Sequence, residues 1–161
     1  MMDLRIGHGY DLHRLKEGGE LMLGGVCVSR QISPVAHSDG DVAIHALVDA
    51  LLGAMGWGDI GEWFANTDAK WKQAASRVFL ETVLKKVREE GFAVVNADVT
   101  ILAEKPKLKA YKPQIRQVLA GLLGVDQGRV NVKAGTNEGC DAIGRGEALA
   151  AHAVVLIGRG E

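Results

Sequence analysis

The chain has 161 residues, 47% hydrophobic and 24% charged, which suits one globular domain (residues 1–161) with a sizeable core. A formal net charge of −1 and 5% aromatic residues exclude the basic, base-stacking surface of a general nucleic-acid binder. No apolar run approaches the roughly 20 residues of a membrane span, and two cysteines without CxxC spacing or a visible signal peptide point to a reducing, cytoplasmic setting.

Leu4 to His13 reads as a strand. Side chains two apart share a face, so Asp11 and His13 point together, with Leu12 opposite, toward the core. An Asp-x-His pair is either half of a metal site or a hydrogen-bonded surface pair, and the spacing alone does not choose. His8 has the other parity and reads as a packing or loop histidine. Leu21 to Val28 is a short hairpin turning at Gly24-Gly25, and Ile32 to Pro34 leads onward.

Ala36 to Gly53 is the stretch around which the chain is organised. Ser38, Asp39 and Asp41 are candidate N-caps; Val42, Leu47, Leu51 and Leu52 form an apolar stripe; Gly53 or Gly56 ends the helix. Asp41, His45 and Asp49 recur every four residues and share a face. Polar groups there need partners, and Asp11 with His13 suits His45. Two imidazoles and one carboxylate would leave an open coordination position, as catalytic zinc sites do. Asp49, one turn on, either orients His45 or pairs elsewhere.

Gly56 to Asp68 reads as a loop in which Gly58 and Gly61 bracket Asp59. It is either an ordinary connection, with Trp57, Trp63 and Phe64 covering the core, or a backbone approach to a small polar ligand. Ser76 caps a helix to about Glu90, with Val78, Phe79, Val83, Leu84 and Val87 inward and Gly91 as its stop. Ala93 to Leu102 is a strand running into a turn whose Lys105, Lys107 and Lys109 meet either phosphate or solvent. A helix follows from about Pro113 to Leu123, then a strand from Arg129 to Ala134. Gly135 to Glu147 is a polar, glycine-rich loop. In it Thr136 as donor, Glu138 as oxygen ligand and Arg145 as bidentate donor can grip a phosphate and a hard cation. No P-loop and no GxGxxG is present. Leu149 to Ile157 is a largely apolar strand, hence central or buried at an interface. The order predicts an α+β fold: a two-layer α/β sandwich, its mixed sheet covered on one face by helices.

Together these motifs resemble the 2-C-methyl-D-erythritol 2,4-cyclodiphosphate synthase family nearly end to end. The resemblance rests on Arg5-Ile6-Gly7-His8-Gly9-Tyr10-Asp11-Leu12-His13, on the Ala36 to Gly53 stretch with His37-Ser38-Asp39-Gly40-Asp41 and His45, and on Gly58-Asp59-Ile60-Gly61. Asp98-Val99-Thr100-Ile101, Pro106-Lys107 and Gly144-Arg145-Gly146-Glu147 complete it. It implies a metal-dependent cyclase in which a cytidylyl diphosphate substrate closes on its own 2-phosphate and releases CMP, in the non-mevalonate isoprenoid pathway. It implies a homotrimer with sheets facing the three-fold axis and active sites between subunits, and no nucleic-acid or membrane partner. Zinc would sit on Asp11, His13 and His45; magnesium or manganese on Glu138 with the substrate phosphates. His37 and Thr136 take the catalytic positions, and Ser38 also meets phosphate. Cytidine would lie against Ala103-Glu104-Lys105-Pro106-Lys107-Leu108-Lys109. Methylerythritol would lie near Asp59-Ile60-Gly61 and Phe64-Ala65-Asn66-Thr67-Asp68. Leu12, Gly135, Asn137, Ala142 and Arg145 complete the substrate-binding set. The compartment implied is cytoplasmic, or plastid-type in a plastid-bearing source.

Two departures stand out. The family's Phe-Pro-Asp-Thr-Asp-Pro is Phe64-Ala65-Asn66-Thr67-Asp68-Ala69 here, which predicts a more mobile loop, and Ala142 replaces a bulkier residue facing the trimer axis in some members. Two other readings use the same ligands. One is a non-haem Fe(II) enzyme built on Asp11, His13 and His45. The other is a non-catalytic, metal-containing trimer that binds a nucleotide or isoprenoid diphosphate.

Overall fold

The computed structural model describes residues 3–159. Its frame is a five-stranded sheet in the order β4-β1-β7-β5-β6. The strands are β1 (Asp3–Glu17), β4 (Ile32–Pro34), β5 (Ala93–Leu102), β6 (Val130–Gly135) and β7 (Ala148–Arg159). Among the described residues only β5 and β6 run parallel and the other pairs are antiparallel, so the sheet is mixed as expected. The predicted hairpin is present as β2 (Leu21–Leu23) and β3 (Val26–Ser29). β7 is central and its inward side chains are buried. Among the described residues, no helix is long and apolar enough to cross a membrane.

Helix α1 (Val42–Met55) lies across β1 and β7, and all its residues but Asp49 and Gly53 are buried. Of the three candidate caps, Asp41 takes the position, accepting the Ile44 N–H at 3.1 Å. The same buried carboxylate accepts Gly24 N–H (2.9 Å) and Gly25 N–H (2.7 Å), tying the hairpin turn to the helix start. Gly56 ends the helix at φ 70°, a left-handed conformation that favours glycine. The helix can lie this close to β1 because Gly7 and Gly9 face it. A Cβ on either would stand 1.8 Å from Ala50 O or 1.9 Å from Ala46 O.

Strand β1 alternates strictly. Gly7, Gly9, Asp11 and His13 face the helix layer; Leu4, Ile6, His8, Tyr10 and Leu12 face the opposite side, where no helix among the described residues covers them. The expectation that Leu12 points to the core is therefore corrected. The core lies on the Asp11 and His13 side, because Gly7 and Gly9 make room there for α1, and Leu12 is 42% exposed. His8 shares the outer face, its Nε2 3.1 Å from His152 Nδ1.

Helix α3 (Ser76–Glu89) and helix α4 (Lys112–Leu123) complete the helical layer. Ser76 does not cap α3: Ala75 holds that position, and the fully buried Ser76 hydroxyl turns to other partners. Val78, expected inward, is 40% exposed, and Leu80 takes its place in the core. The stretch expected as a loop between Gly56 and Asp68 holds the short helix α2 (Ile60–Trp63), capped by Asp59 through the Glu62 N–H. A further one-turn helix, α5 (Asp141–Gly144), sits inside the loop before β7.

Candidate active site

The two-residue period of β1 sends Asp11 and His13 toward α1, and the helix sends His45 back. Asp11 Oδ2, His13 Nε2 and His45 Nδ1 converge: 3.0 Å from Asp11 to His45, 3.2 Å from Asp11 to His13 and 3.4 Å between the imidazoles. A tetrahedral ion with bonds of about 2.0–2.1 Å needs ligand atoms about 3.3–3.4 Å apart, so the triangle has the dimensions of three corners of such a site. The donor set, two nitrogens and a carboxylate oxygen, also suits a divalent metal with one open position.

Burial lowers the His13 pKa against the opposing pull of Asp11. Burial presses His45 down as well. There the hydrogen bond and charge of Asp11, with Asp41 and Asp39 adding theirs, win and raise its pKa above the ordinary value. A metal taking the His45 nitrogen must displace a proton held by Asp11.

The triangle opens into a cavity of about 280 Å³. The predicted residues Asp11, His13, His37, Ser38, His45, Ile60, Gly61, Phe64 and Asn66 line it, and Val35, Ala36, Trp71 and Phe79 join them. Phe64 is buried and stacks on Phe79 with ring centroids 4.5 Å apart, so the altered loop is anchored at its first residue. At its other end Asp68 accepts the Lys70 N–H at 2.9 Å and starts a single 3-10 turn. Asp59, Ala65, Thr67 and Asp68 flank the cavity in sequence without lining it. Asp49 does not orient His45. Its Oδ1 accepts the Ile60 N–H at 2.7 Å, fixing the start of α2 and hence the Ile60-Gly61 wall; burial raises the pKa of this carboxyl.

A second cavity, about 290 Å³, is lined by Ala103, Pro106, Lys107, Leu108, Lys109, Gly135 and Thr136 as predicted, with Lys112 and Ala134 added. Glu104 and Lys105, also expected there, do not line it, and Glu104 Oε2 is buried without a hydrogen-bond partner among the described residues. The two cavities share no residue, so one protomer does not bring His37 and Thr136 into one pocket. The loop after β6 is held by Asn137 donating to Asp141 (2.8 Å), and Asp141 accepts the Ile143 and Gly144 N–H groups. Glu138 is exposed at φ 51°, outside the lining of either cavity. Arg145 is paired with Glu147 at 3.0 Å, and Ala142 is half-buried against the small cluster of Ile143, Ala148 and Ala150.

Residues 4–158 match the model of the YgbB family. The chain belongs to the YgbB family. It is 52% identical to the 2-C-methyl-D-erythritol 2,4-cyclodiphosphate synthase of Desulfosudis oleivorans, over 96% of this chain and 92% of that one. It is 45% identical to the chloroplastic synthase of Arabidopsis thaliana, over 97% of this chain and 68% of that one. Among solved structures, the bifunctional IspDF from Campylobacter jejuni superposes with a TM-score of 0.95 at 41% identity, covering all of this chain and 44% of that one. The CDP complex of IspF from Plasmodium falciparum gives 0.86 at 30% identity, over 98% of this chain and 97% of that one. This YgbB-family chain thus carries an Asp-His-His cluster within a mixed α+β fold similar to those structures.

Sequence reasoning missed Trp71, Lys112 and Ser76. Trp71 gave the signal of an aromatic in a polar segment. Ser76 gave none beyond its cap-like place, because its partners lie more than thirty residues away.

Proposed function

We propose that the chain is the cyclase that converts 4-diphosphocytidyl-2-C-methyl-D-erythritol 2-phosphate into 2-C-methyl-D-erythritol 2,4-cyclodiphosphate and CMP. The observation that carries this reading is the Asp11, His13 and His45 triangle at one end of a cavity, in a chain of this family. Zinc fits the triangle, and Glu138, exposed two residues after Thr136, would hold magnesium or manganese with the substrate phosphates. When bound, the two cations supply charge neutralisation and in-line geometry for two mutually repelling phosphates.

The chain's own residues do the rest by binding and orientation. An oxygen of the substrate's 2-phosphate forms the new bond to the β-phosphorus, and the bond from that phosphorus to CMP breaks. The substrate therefore brings its own nucleophile and needs none from the protein. His37 and Ser38, on the wall of the metal cavity, donate to phosphate oxygens. Ile60, Gly61, Phe64 and Asn66 enclose the methylerythritol, whose position decides whether the 2-phosphate reaches the β-phosphorus. The second cavity receives cytidine along Ala103 to Lys109, and Thr136 donates to the leaving phosphate.

The separation of the two cavities in one protomer supports a complete site formed between copies, in the homotrimer that the family resemblance implies. The apolar outer face of the sheet, with Ile6 71% exposed, supports burial against the three-fold axis. Residues 1–161 act as a single cyclodiphosphate synthase domain, and the free Cys27 and Cys140 suit a reducing compartment such as the cytoplasm.

The test is CMP release from the cytidylyl substrate with and without EDTA, followed by ³¹P NMR of the product. EDTA-sensitive release with a cyclic diphosphate signal is expected. Folded, zinc-loaded protein that releases no CMP refutes the cyclase reading and favours a binding protein. Turnover of 2-oxoglutarate with iron bound would instead favour an Fe(II) enzyme.

A further inference from the structure

His45 has two ring nitrogens, and only Nδ1 faces the metal triangle. Its Nε2 points the other way, 2.8 Å from Ser76 Oγ and 3.3 Å from Ser38 Oγ. Ser76 is fully buried, and its hydroxyl lies in short hydrogen-bond contact with Asp39 Oδ1. Asp39 is acceptor on every side: Oδ2 takes the Ser76 N–H at 3.0 Å and Oδ1 takes the Asp41 N–H at 3.2 Å. The backbone closes the arrangement. Gln73 N–H donates to His37 O (2.7 Å) and Asp39 N–H to Ala74 O (3.2 Å), clamping the segment before α1 to the segment before α3.

The proton directions in this chain of contacts are forced. A carboxylate only accepts, so the Ser76 O–H points to Asp39. The Ser76 oxygen then presents a lone pair to Nε2, which must bear hydrogen. Ser38 is the weaker partner: it is longer, and its oxygen already accepts the Gly40 N–H at 3.1 Å. With Nε2 holding its hydrogen toward Ser76, Nδ1 in the triangle is the nitrogen left for the ion, which takes the place of the proton shared with Asp11.

We propose that Ser76 and Asp39 are positioning residues for the metal: the relay from His45 Nε2 through the Ser76 hydroxyl to the Asp39 carboxylate fixes the His45 tautomer and ring orientation that present Nδ1 to the ion. Neither residue touches the ion or the reacting atoms. This rests on the metal-centre part of the proposed function and assigns a role to a helix, α3, that otherwise only covers the core. Outer partners of this kind change metal affinity on the order of 10–100-fold when removed.

The test measures zinc affinity by competition with a chromophoric chelator, and the ring nitrogens of His45 by ¹⁵N NMR of the zinc-loaded chain. Wild type is expected to show zinc on Nδ1 and a slowly exchanging proton on Nε2. Ser76→Ala is expected to bind zinc on the order of 10–100-fold more weakly and to lose the slow exchange of that proton while its circular dichroism stays native. Asp39→Asn keeps an acceptor for the hydroxyl but loses the charge, and should fall between the two. A folded Ser76→Ala with wild-type zinc affinity and an unchanged Nε2 proton overturns the relay. If Ser76→Ala does not fold, Asp39→Asn decides by the same readouts. The wild-type spectrum is decisive alone: zinc on Nε2 with a proton on Nδ1 overturns the proposal whatever the variants do. Wild type that binds no zinc overturns the metal centre and the relay with it. CMP release bears only on the cyclase reading.

Discussion

Gly9→Ala tests whether the separation of helix and strand sets the metal triangle. Gly9 lies two residues before Asp11 on the same face of β1, and its nearest helix atom is the carbonyl oxygen of Ala46, the neighbour of His45. An ideal Cβ there stands 1.9 Å from that oxygen, and ordinary contact begins near 3.4 Å, so α1 and β1 must part by about 1.5 Å. Asp11 and His45 start 3.0 Å apart. Movement across that contact lengthens it to about 3.4 Å, and movement along it to about 4.5 Å, whereas a metal site tolerates only about ±0.2 Å in each bond. Overpacking also costs about 1–3 kcal/mol of stability. The assay is zinc per chain after a chelator challenge, with urea unfolding alongside to score the fold. Folded Gly9→Ala should lose at least tenfold in zinc affinity. Gly53→Ala on the same helix is the control. Its Cβ would meet nothing nearer than His8 O at 3.9 Å, so it should keep zinc and gain about 0.5–1 kcal/mol from better helix propensity. Stoichiometric zinc at wild-type affinity in Gly9→Ala refutes the idea that these glycines set the site.

Three other outcomes are expected. Asp49→Ala removes the acceptor for the Ile60 N–H and loosens the α2 wall; KM should rise several-fold with zinc content unchanged, and zinc loss would show that Asp49 acts on His45 after all. Lys107→Ala should raise KM for the cytidylyl substrate more than it lowers kcat in steady-state CMP release, and the reverse split would move Lys107 to the reacting groups. In metal-free protein, His45 has a folded pKa above its unfolded value. Its pairing with Asp11 therefore adds stability that is complete below about pH 6.5 and fades as pH rises through the raised pKa. The thermal-stability gap between wild type and His45→Asn should accordingly be widest near pH 6 and narrow toward pH 9, and a flat gap would contradict the sign.

What the sequence made legible was whatever repeats locally. The period of two in β1 paired Asp11 with His13, and the period of four in α1 set His45 on the face that meets them, so the triangle could be read before any fold was known. The sheet's layering followed from the alternation of strands and helices. Leu12 was misplaced because parity says which residues share a face but not which face a helix covers. Two glycines decided that, by admitting α1 on their own side. Asp49 stood between two readings, and Ser76 was misread, for a different reason. Their partners, Ile60 N–H for one and Asp39 with His45 for the other, come from segments brought together only by tertiary packing. Local cap chemistry gave Ser76 a plausible role one residue away from its real one.

Strand β1 carries two texts written in alternate letters. Odd positions hold the helix contact and two of the three metal ligands; even positions from Leu4 to Leu12 hold a largely apolar surface on the side away from α1. Inserting or deleting a single residue in the strand would exchange the two, sending Leu12 toward the metal cavity and the ligands out to the open face. Chemistry and surface therefore cannot drift apart by small length changes in this segment. Variation is channelled into substitutions at one parity, which leave the other intact, and libraries aimed at either property can be built by holding every second codon fixed.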